Sequence, residues 1–293
     1  MRLLLALDGS EVSMDAANFL TRLPWPQGTE VTVVTVVVDT AMGEIDADIW
    51  MKVREAAHQS AVAHYQGVVD QLSAKFAKVE HVLEEGHPTR AILDVAKRQN
   101  IDVVVLGARG HSLVARTLLG STSDYVANHA RCHVLVVRPR SAEAVAAGAA
   151  RNDALRVILA YDGSPGSKVA AEQLFALPWS DATQIQITTL LERPPLIPDE
   201  EVYDSTAIAN SERNLAALVA DAQCSAEVSY RVRETVHVGD TLAHLADVEH
   251  GDLIFVGETG KSALAQFFLG SAARHILHHS ASSVWVARNK HWQ

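Results

Sequence analysis

The sequence lacks a basic excess, a long apolar run and a cysteine framework, and each shortage closes off a class of protein. Its 293 residues hold 25 Lys+Arg against 35 Asp+Glu, a formal charge of −10, with no basic block. Nucleic acid and anionic membrane surfaces call for the opposite balance, so neither is expected as a partner. No stretch approaches the roughly 18 consecutive apolar residues of a spanning helix. The opening MRLLLALDGS sets leucines behind a basic residue, but Asp8 breaks the run too early for a secretion signal. It reads instead as a first strand. Cys132 and Cys224 form no CxxC pair, and a reducing, cytoplasmic compartment is expected. What is present is apolar material: 48% of residues, enough for substantial cores in two domains.

The halves are copies of one another. Leu5–Ser10 (LALDGS) returns as Leu159–Ser164 (LAYDGS), and Leu23-Pro24-Trp25 returns as Leu177-Pro178-Trp179, both displaced by 154 residues. Asp102–Gly107 matches Asp252–Gly257 and Gly120-Ser121 matches Gly270-Ser271, now displaced by 150. A period this long is a duplicated domain, not a solenoid. Between the copies, Pro139–Ala154 is Ala-rich and lacks large apolar residues. Domains are therefore expected at 1–140 and 154–293, with 141–153 as a linker. A short helix over Ala142–Ala150 is the competing reading.

Each copy alternates strand and helix. In the first, strands are expected at Leu3–Leu7, Thr29–Val38, Val79–Leu83, Ile101–Leu106 and His133–Val137. Helical patterns run over Val12–Leu23, Trp50–Phe76, Thr89–Arg98 and Ala115–His129. Continuous apolar strands separated by helices imply a parallel sheet covered on both faces, an open α/β fold. Right-handed crossovers suggest the order 3-2-1-4-5, with a switch point between strands 1 and 4.

Ligands of such sheets bind beyond the carboxyl ends of the strands at the switch point. There the sequence places Asp8-Gly9-Ser10 after strand 1 and Gly107-Ala-Arg-Gly110 after strand 4, then Gly120-Ser121-Thr122 nine residues on. The second copy repeats this as Asp162-Gly163-Ser164, Gly257-Glu-Thr-Gly260 and Gly270-Ser271-Ala272. Glycine-rich turns let backbone N–H groups approach phosphate, and a helix opening at Gly120-Ser121 adds its positive dipole end.

These residues, DGS after strand 1, G-x2-G-x9-G-[ST] after strand 4 and a terminal strand HVLVVRP, resemble the universal stress protein family, in both halves. The resemblance implies two tandem Rossmann-like domains, each an open five-stranded parallel sheet. It implies ATP as ligand, with Mg2+ as its candidate companion, in a stress response. Asp8 and Asp162 would sit near the ribose or a phosphate-bound metal. The backbone of Val37 would contact adenine, with Leu190 its counterpart to within one residue. Gly107, Gly110, Gly120, Ser121 and Thr122 would hold ribose and phosphates, as would Gly257, Gly260, Gly270, Ser271 and Ala272. The sequence departs from the family where Arg131 and His133, or Ala281 and Ser283, replace the usual proline before the last strand. It departs again at Leu191-Glu192-Arg193-Pro194-Pro195 after the second strand of copy two.

Other readings stand beside these. Asp8 and Asp162 suit N-caps of the following helices. The tail Gly257–Ser262 imitates a P-loop, but the motif needs glycine where Phe255 stands. Lys261, Arg109 and His111 are solvated charges or phosphate neighbours. His275, His278 and His279 share a helical face without a fourth ligand, so no metal is expected. Cys132 aligns with Ser282 and is not expected to act as a nucleophile. The acidic segment Asp39–Asp48 and the proline-containing segment Arg193–Asp204 are solvated loops or lids. No side chain is placed as a general base, so any ATP hydrolysis should be slow. Pairing of the edge strands His133–Val137 and Val284–Ala287 would give an intramolecular pseudo-dimer, and a homodimer of chains is left open. The alternative function is a non-nucleotide, chaperone-like interaction protein on the same fold.

Overall fold

The computed structural model describes residues 1–38, 47–109, 119–139, 145–146, 154–193, 205–260 and 269–289. Two compact units emerge, Met1–Arg138 and Pro139–Asn289. The first contains β1 (Arg2–Ala6), α1 (Glu11–Arg22), β2 (Glu30–Val37), α2 (Ala47–Ser73) and β3 (Lys78–Glu85). It continues through α3 (Pro88–Arg98), β4 (Val103–Gly107), α4 (Ser121–His129) and β5 (His133–Val137). All its strand pairs are parallel, in the order β3-β2-β1-β4-β5. The expected order therefore holds, with the switch between β1 and β4.

The second unit repeats the plan with β6 (Arg156–Ala160), α5 (Pro165–Phe175), β7 (Gln184–Glu192), α6 (Ser205–Asp221) and β8 (Glu227–Thr235). Then come α7 (Val238–Val248), β9 (Leu253–Gly257), α8 (Ser271–His279) and β10 (Ser283–Ala287). Its parallel order is β8-β7-β6-β9-β10.

The two strands that flank the switch point are buried along their centres. Leu3, Leu4 and Leu5 of β1 and Val103, Val104 and Val105 of β4 are fully buried, as a sheet covered on both faces requires. In the second unit Phe255 on β9 is fully buried and stacks on Trp285 at 4.9 Å between ring centroids. The residue that spoils the P-loop pattern is thus a core residue. Helix α3 buries Ala91, Ile92, Val95 and Ala96 along one stripe, as its 3.6-residue period predicts.

Several element boundaries differ from the expectation: helix α2 spans Ala47–Ser73 where Trp50–Phe76 is expected, and β3 and α4 differ for identifiable reasons. Strand β3 runs eight residues, Lys78–Glu85, not the apolar centre alone, because it is paired on β2 only and keeps polar residues on its open side. Helix α4 begins at Ser121, with Gly120, extended at φ −69°, ψ 151°, as its N-cap, and positions 115–118 of the expected helix lie outside the described residues. The linker outside 145–146 lies beyond the described residues, as do Gly110, His111, Lys261 and most of the two candidate lids.

The duplicated Leu-Pro-Trp has a local cause. Trp25 Nε1 donates to the Leu20 carbonyl at 2.8 Å and Trp179 Nε1 to the Leu174 carbonyl at 2.7 Å. Each indole ties the chain after its helix to a carbonyl of the last turn; the Leu174 carbonyl also accepts from Leu177 N at 3.3 Å. At the other end of these helices Ser10 and Ser164 are the N-caps, accepting from Ser13 N and Ser167 N, each at 3.2 Å. Ser164→Ala is expected to cost about 1 kcal/mol, read as a lower urea midpoint of the full chain.

Candidate functional site

The turn after β1 is fixed by its own residues. Gly9 and Gly163 adopt φ of +80° and +78°, a region where a side chain is strained, so DGS needs its glycine. Asp8 Oδ1 accepts from Ser10 N at 3.0 Å and Ser10 Oγ at 2.6 Å, and Asp162 Oδ1 accepts from Ser164 N at 3.0 Å. The aspartates therefore brace the turn while the serines cap the helices, which corrects the reading of Asp8 and Asp162 as N-caps. Beside Asp162, the Tyr161 phenol is pushed up by burial and then by the Asp162 charge.

The second loop closes back on its own strand. Gly120 N donates to Ala108 O at 2.7 Å, and Gly270 N donates to Glu258 O at 2.7 Å. Ala108 N and Glu258 N in turn reach Val137 O and Ala287 O on the terminal strands, at 2.7 and 2.9 Å. The two glycine clusters of each motif are thus brought together across the nine-residue gap. Immediately beyond, α4 and α8 open on Gly120 and Gly270 with no side-chain cap. The amides of Ser121, Thr122, Ser271 and Ala272 belong to the first turns, where a helix supplies no acceptor of its own.

The glycines have three different reasons for being glycine. A Cβ on Gly257 would lie 2.3 Å from Gly166 C and 2.5 Å from Gly166 O, and one on Gly107 would lie 2.8 Å from Val12 O. These two admit the first turn of the neighbouring helix against the end of β4 or β9. As glycines they can offer a ligand only backbone groups. Gly260 sits under Asp162, its Cβ position 3.1 Å from Oδ2. Gly270 is different: its φ is −60° and its Cβ would meet nothing closer than 3.5 Å. Neither backbone nor packing demands glycine there. At Gly120 the fit is tighter, with Ala108 O and Arg109 Cα 3.3 Å away.

In the second unit Asp162, Gly260 and Gly270 therefore meet in one place, and Ser164 Oγ donates to Thr259 O at 3.3 Å to join the two loops. In the first, Gly120 is packed on the Ala108–Arg109 stretch. The Val37 carbonyl at the end of β2 already accepts from Gly86 N at 3.0 Å, so an adenine would have to share that oxygen or use other backbone groups. The strand register refines its counterpart. Leu7 N donates to Val34 O and Tyr161 N to Thr188 O, both pairs displaced by 154, so Val37 corresponds to Leu191 and Leu190 lies one residue short.

Sequence reading missed the partners of Gly107 and Gly257. Val12 and Gly166 are equivalent positions, and setting the two copies side by side in the 154-residue register would have exposed them. It also missed the charge behind each loop, where Glu258 Oε2 lies 3.6 Å from Arg288 Nη1 while the first copy has Ala108 and Arg138. On the histidine face, His275 Nε2 meets Asp240 Oδ1 at 2.7 Å and its ring lies tilted against that of His279, 4.3 Å between centroids. Among the described residues no group of His, Cys, Asp or Glu could hold a metal ion, and no helix is long and apolar enough to cross a membrane. Cys132 is fully buried.

The universal stress protein family matches the chain twice, over residues 1–138 and 154–288. A universal stress protein of Mycolicibacterium smegmatis is 27% identical over 98% of this chain and 96% of its own. One from Bacillus subtilis, YxiE, is 26% identical over 47% of this chain and 98% of its own, a single-copy relative. Among solved structures, a universal stress protein from Archaeoglobus fulgidus superposes with a TM-score of 0.67 at 18% identity. It covers 100% of this chain and 97% of that one, and the likeness concerns the fold.

Proposed function

The chain belongs to the universal stress protein family, carrying its domain twice, and on that premise we propose that each copy binds ATP at the carboxyl ends of its first and fourth strands in a stress response. The observation that carries the reading is Gly270, a glycine that neither its φ of −60° nor its 3.5 Å surroundings require. It leaves open the space in front of an uncapped helix N-terminus, where phosphate is stabilised by backbone N–H groups and the helix dipole. The acidic net charge does not oppose this, since the grip comes from main-chain donors.

The remaining groups fit a nucleotide. The carboxylates of Asp162 and, by equivalence, Asp8 are acceptors for ribose hydroxyls or for a Mg2+ that accompanies the phosphates. The amides of Ser121 and Thr122, and of Ser271 and Ala272, would meet phosphate oxygens, with Gly107, Gly110, Gly257 and Gly260 offering backbone only. The ends of β2 and β7, at Val37 and Leu191, would border the adenine. No described side chain is set as a general base beside this cradle, so hydrolysis would be slow and binding the main activity.

Calorimetric titration of the full chain with ATP and Mg2+ tests the reading. Saturable binding is expected. The absence of both heat on titration and adenine nucleotide released from the purified protein by acid would overturn it and favour a chaperone-like role.

A further inference from the structure

The two copies differ at the point where their loops cross the helix N-caps. In the first copy the residues after the motif's first glycine are Ala108 and Arg109; in the second they are Glu258 and Thr259. The structure puts the backbone of the second residue of each pair against the glycine N-cap of the following helix. The Cα of Arg109 is 3.3 Å from the Cβ position of Gly120, and the Cα of Thr259 is 3.5 Å from that of Gly270. The first residue faces the terminal strand, where the Glu258 carboxylate meets Arg288 and accepts from Asn289 N at 3.4 Å.

Resting on the nucleotide reading above, we infer that the halves are specialised: the first prefers the more highly charged nucleoside triphosphate through Arg109, and the second discriminates less between tri- and monophosphate. A guanidinium carried on backbone this close to the helix N-cap, within side-chain reach of bound phosphate, would add a charge-assisted donor whose contribution grows with the number of phosphates, whereas a threonine hydroxyl adds no charge. In the second half Glu258 adds a negative charge to the same loop. The cationic character of the first loop is felt by its neighbour: burial, and then the Arg109 charge, push the Arg138 guanidinium down to about 10. The corresponding Arg288 has the Glu258 carboxylate near it instead.

One pair of charges runs the other way. The fourth residue of α4 is Asp124 and that of α8 is Arg274. Asp124 Oδ1 accepts from Asn128 Nδ2 at 3.0 Å, which holds that carboxylate along the helix toward its C-terminal side. Both positions lie a turn beyond the N-cap, so the loop residue at the cap has the shorter reach to the phosphates. If the helix charges decided, the second half would be the triphosphate site, and the two explanations predict opposite orders.

The test is two-site calorimetry on the full chain with ATP and with AMP, each with Mg2+. Arg109→Thr is expected to weaken the tighter ATP phase about tenfold while changing AMP affinity less than about twofold. Thr259→Arg, alone and with Glu258→Ala, should raise the ATP-over-AMP preference of the other phase. The single Thr259→Arg keeps the test valid if loss of the Glu258–Arg288 pair harms folding. An unchanged ATP preference in Arg109→Thr, or a preference that follows exchange of Asp124 and Arg274 instead, overturns the inference while leaving nucleotide binding in place. Failure of the unsubstituted chain to bind either nucleotide overturns the reading beneath it, and the inference with it.

Discussion

Gly270→Asp is expected to stabilise the second domain while lowering its nucleotide affinity about 100-fold or more. Gly270 is an N-cap at φ −60°, ψ 157°, a conformation that Asp adopts readily, and its Cβ would meet only ordinary contacts at 3.5 Å. Aspartate is a better N-cap than glycine and complements the positive end of the helix dipole, so the fold should gain about 0.5 kcal/mol. The same carboxylate takes the amides of Ala272 and Ala273 from any phosphate and sets a negative charge where the ligand's charge must go. A 100-fold loss corresponds to about 2.7 kcal/mol, within reach of one displaced set of charge-assisted bonds plus like-charge repulsion. Urea unfolding and calorimetric titration of the second site read the two effects separately. Opposite signs cannot be produced by damage to the fold. A parallel loss of stability and affinity would mean the substitution acts structurally, and an unchanged affinity would remove Gly270 from the site.

How much of this was legible before the structure depended on what fixes each feature. The strand order follows from apolar strands alternating with helices, and Leu3–Leu5 and Val103–Val105 announce buried central strands by composition alone. The turn at Asp8-Gly9-Ser10 was legible because its cause is local: one positive-φ glycine and one side chain that reaches two residues along. The division of labour within it was not, since Asp and Ser are both good caps and only geometry shows that Ser10 holds the helix. The strand β3 was read too short for a related reason: an edge strand keeps polar residues, so apolar periodicity sees only its centre.

The glycine motif was legible as a spacing but not as a set of roles. The three glycines of a G-x2-G-x9-G motif look equivalent, yet those of the second copy are held by different constraints. A long-range contact decides Gly257, because Gly166 lies 91 residues earlier and no local pattern connects them. The one-residue latitude left at Leu190 has a similar origin. The apolar run Leu190-Leu191 is the same on either register, and only the inter-strand bond from Tyr161 N to Thr188 O decides it.

Gly257→Ala provides the largest expected change in stability, about 3 kcal/mol lost from the second domain. Its new methyl would lie 2.3 Å from Gly166 C, 2.5 Å from Gly166 O and 2.7 Å from Ser167 N. All three atoms belong to the backbone of the first turn of α5, so no side-chain rotation relieves the clash, and relief requires the helix to move off β9. Overpacking of a core typically costs 1–3 kcal/mol, and a rigid backbone partner puts this site at about the upper end. The equivalent Gly107→Ala should cost less, because its closest contacts are 2.8 Å to Val12 O and 2.9 Å to the Val12 side chain, which can rotate. The expected order in urea unfolding is therefore Gly257→Ala worse than Gly107→Ala. The helix that Gly257 admits is capped by Ser164, whose turn carries Asp162 and whose hydroxyl reaches Thr259 O. Displacing it separates the two loops, so here affinity should fall together with stability, the reverse of Gly270→Asp. If Gly257→Ala unfolds within about 0.5 kcal/mol of the unsubstituted chain, the helix is not seated against β9 as described, and the two glycines of one motif would have to be reassigned together.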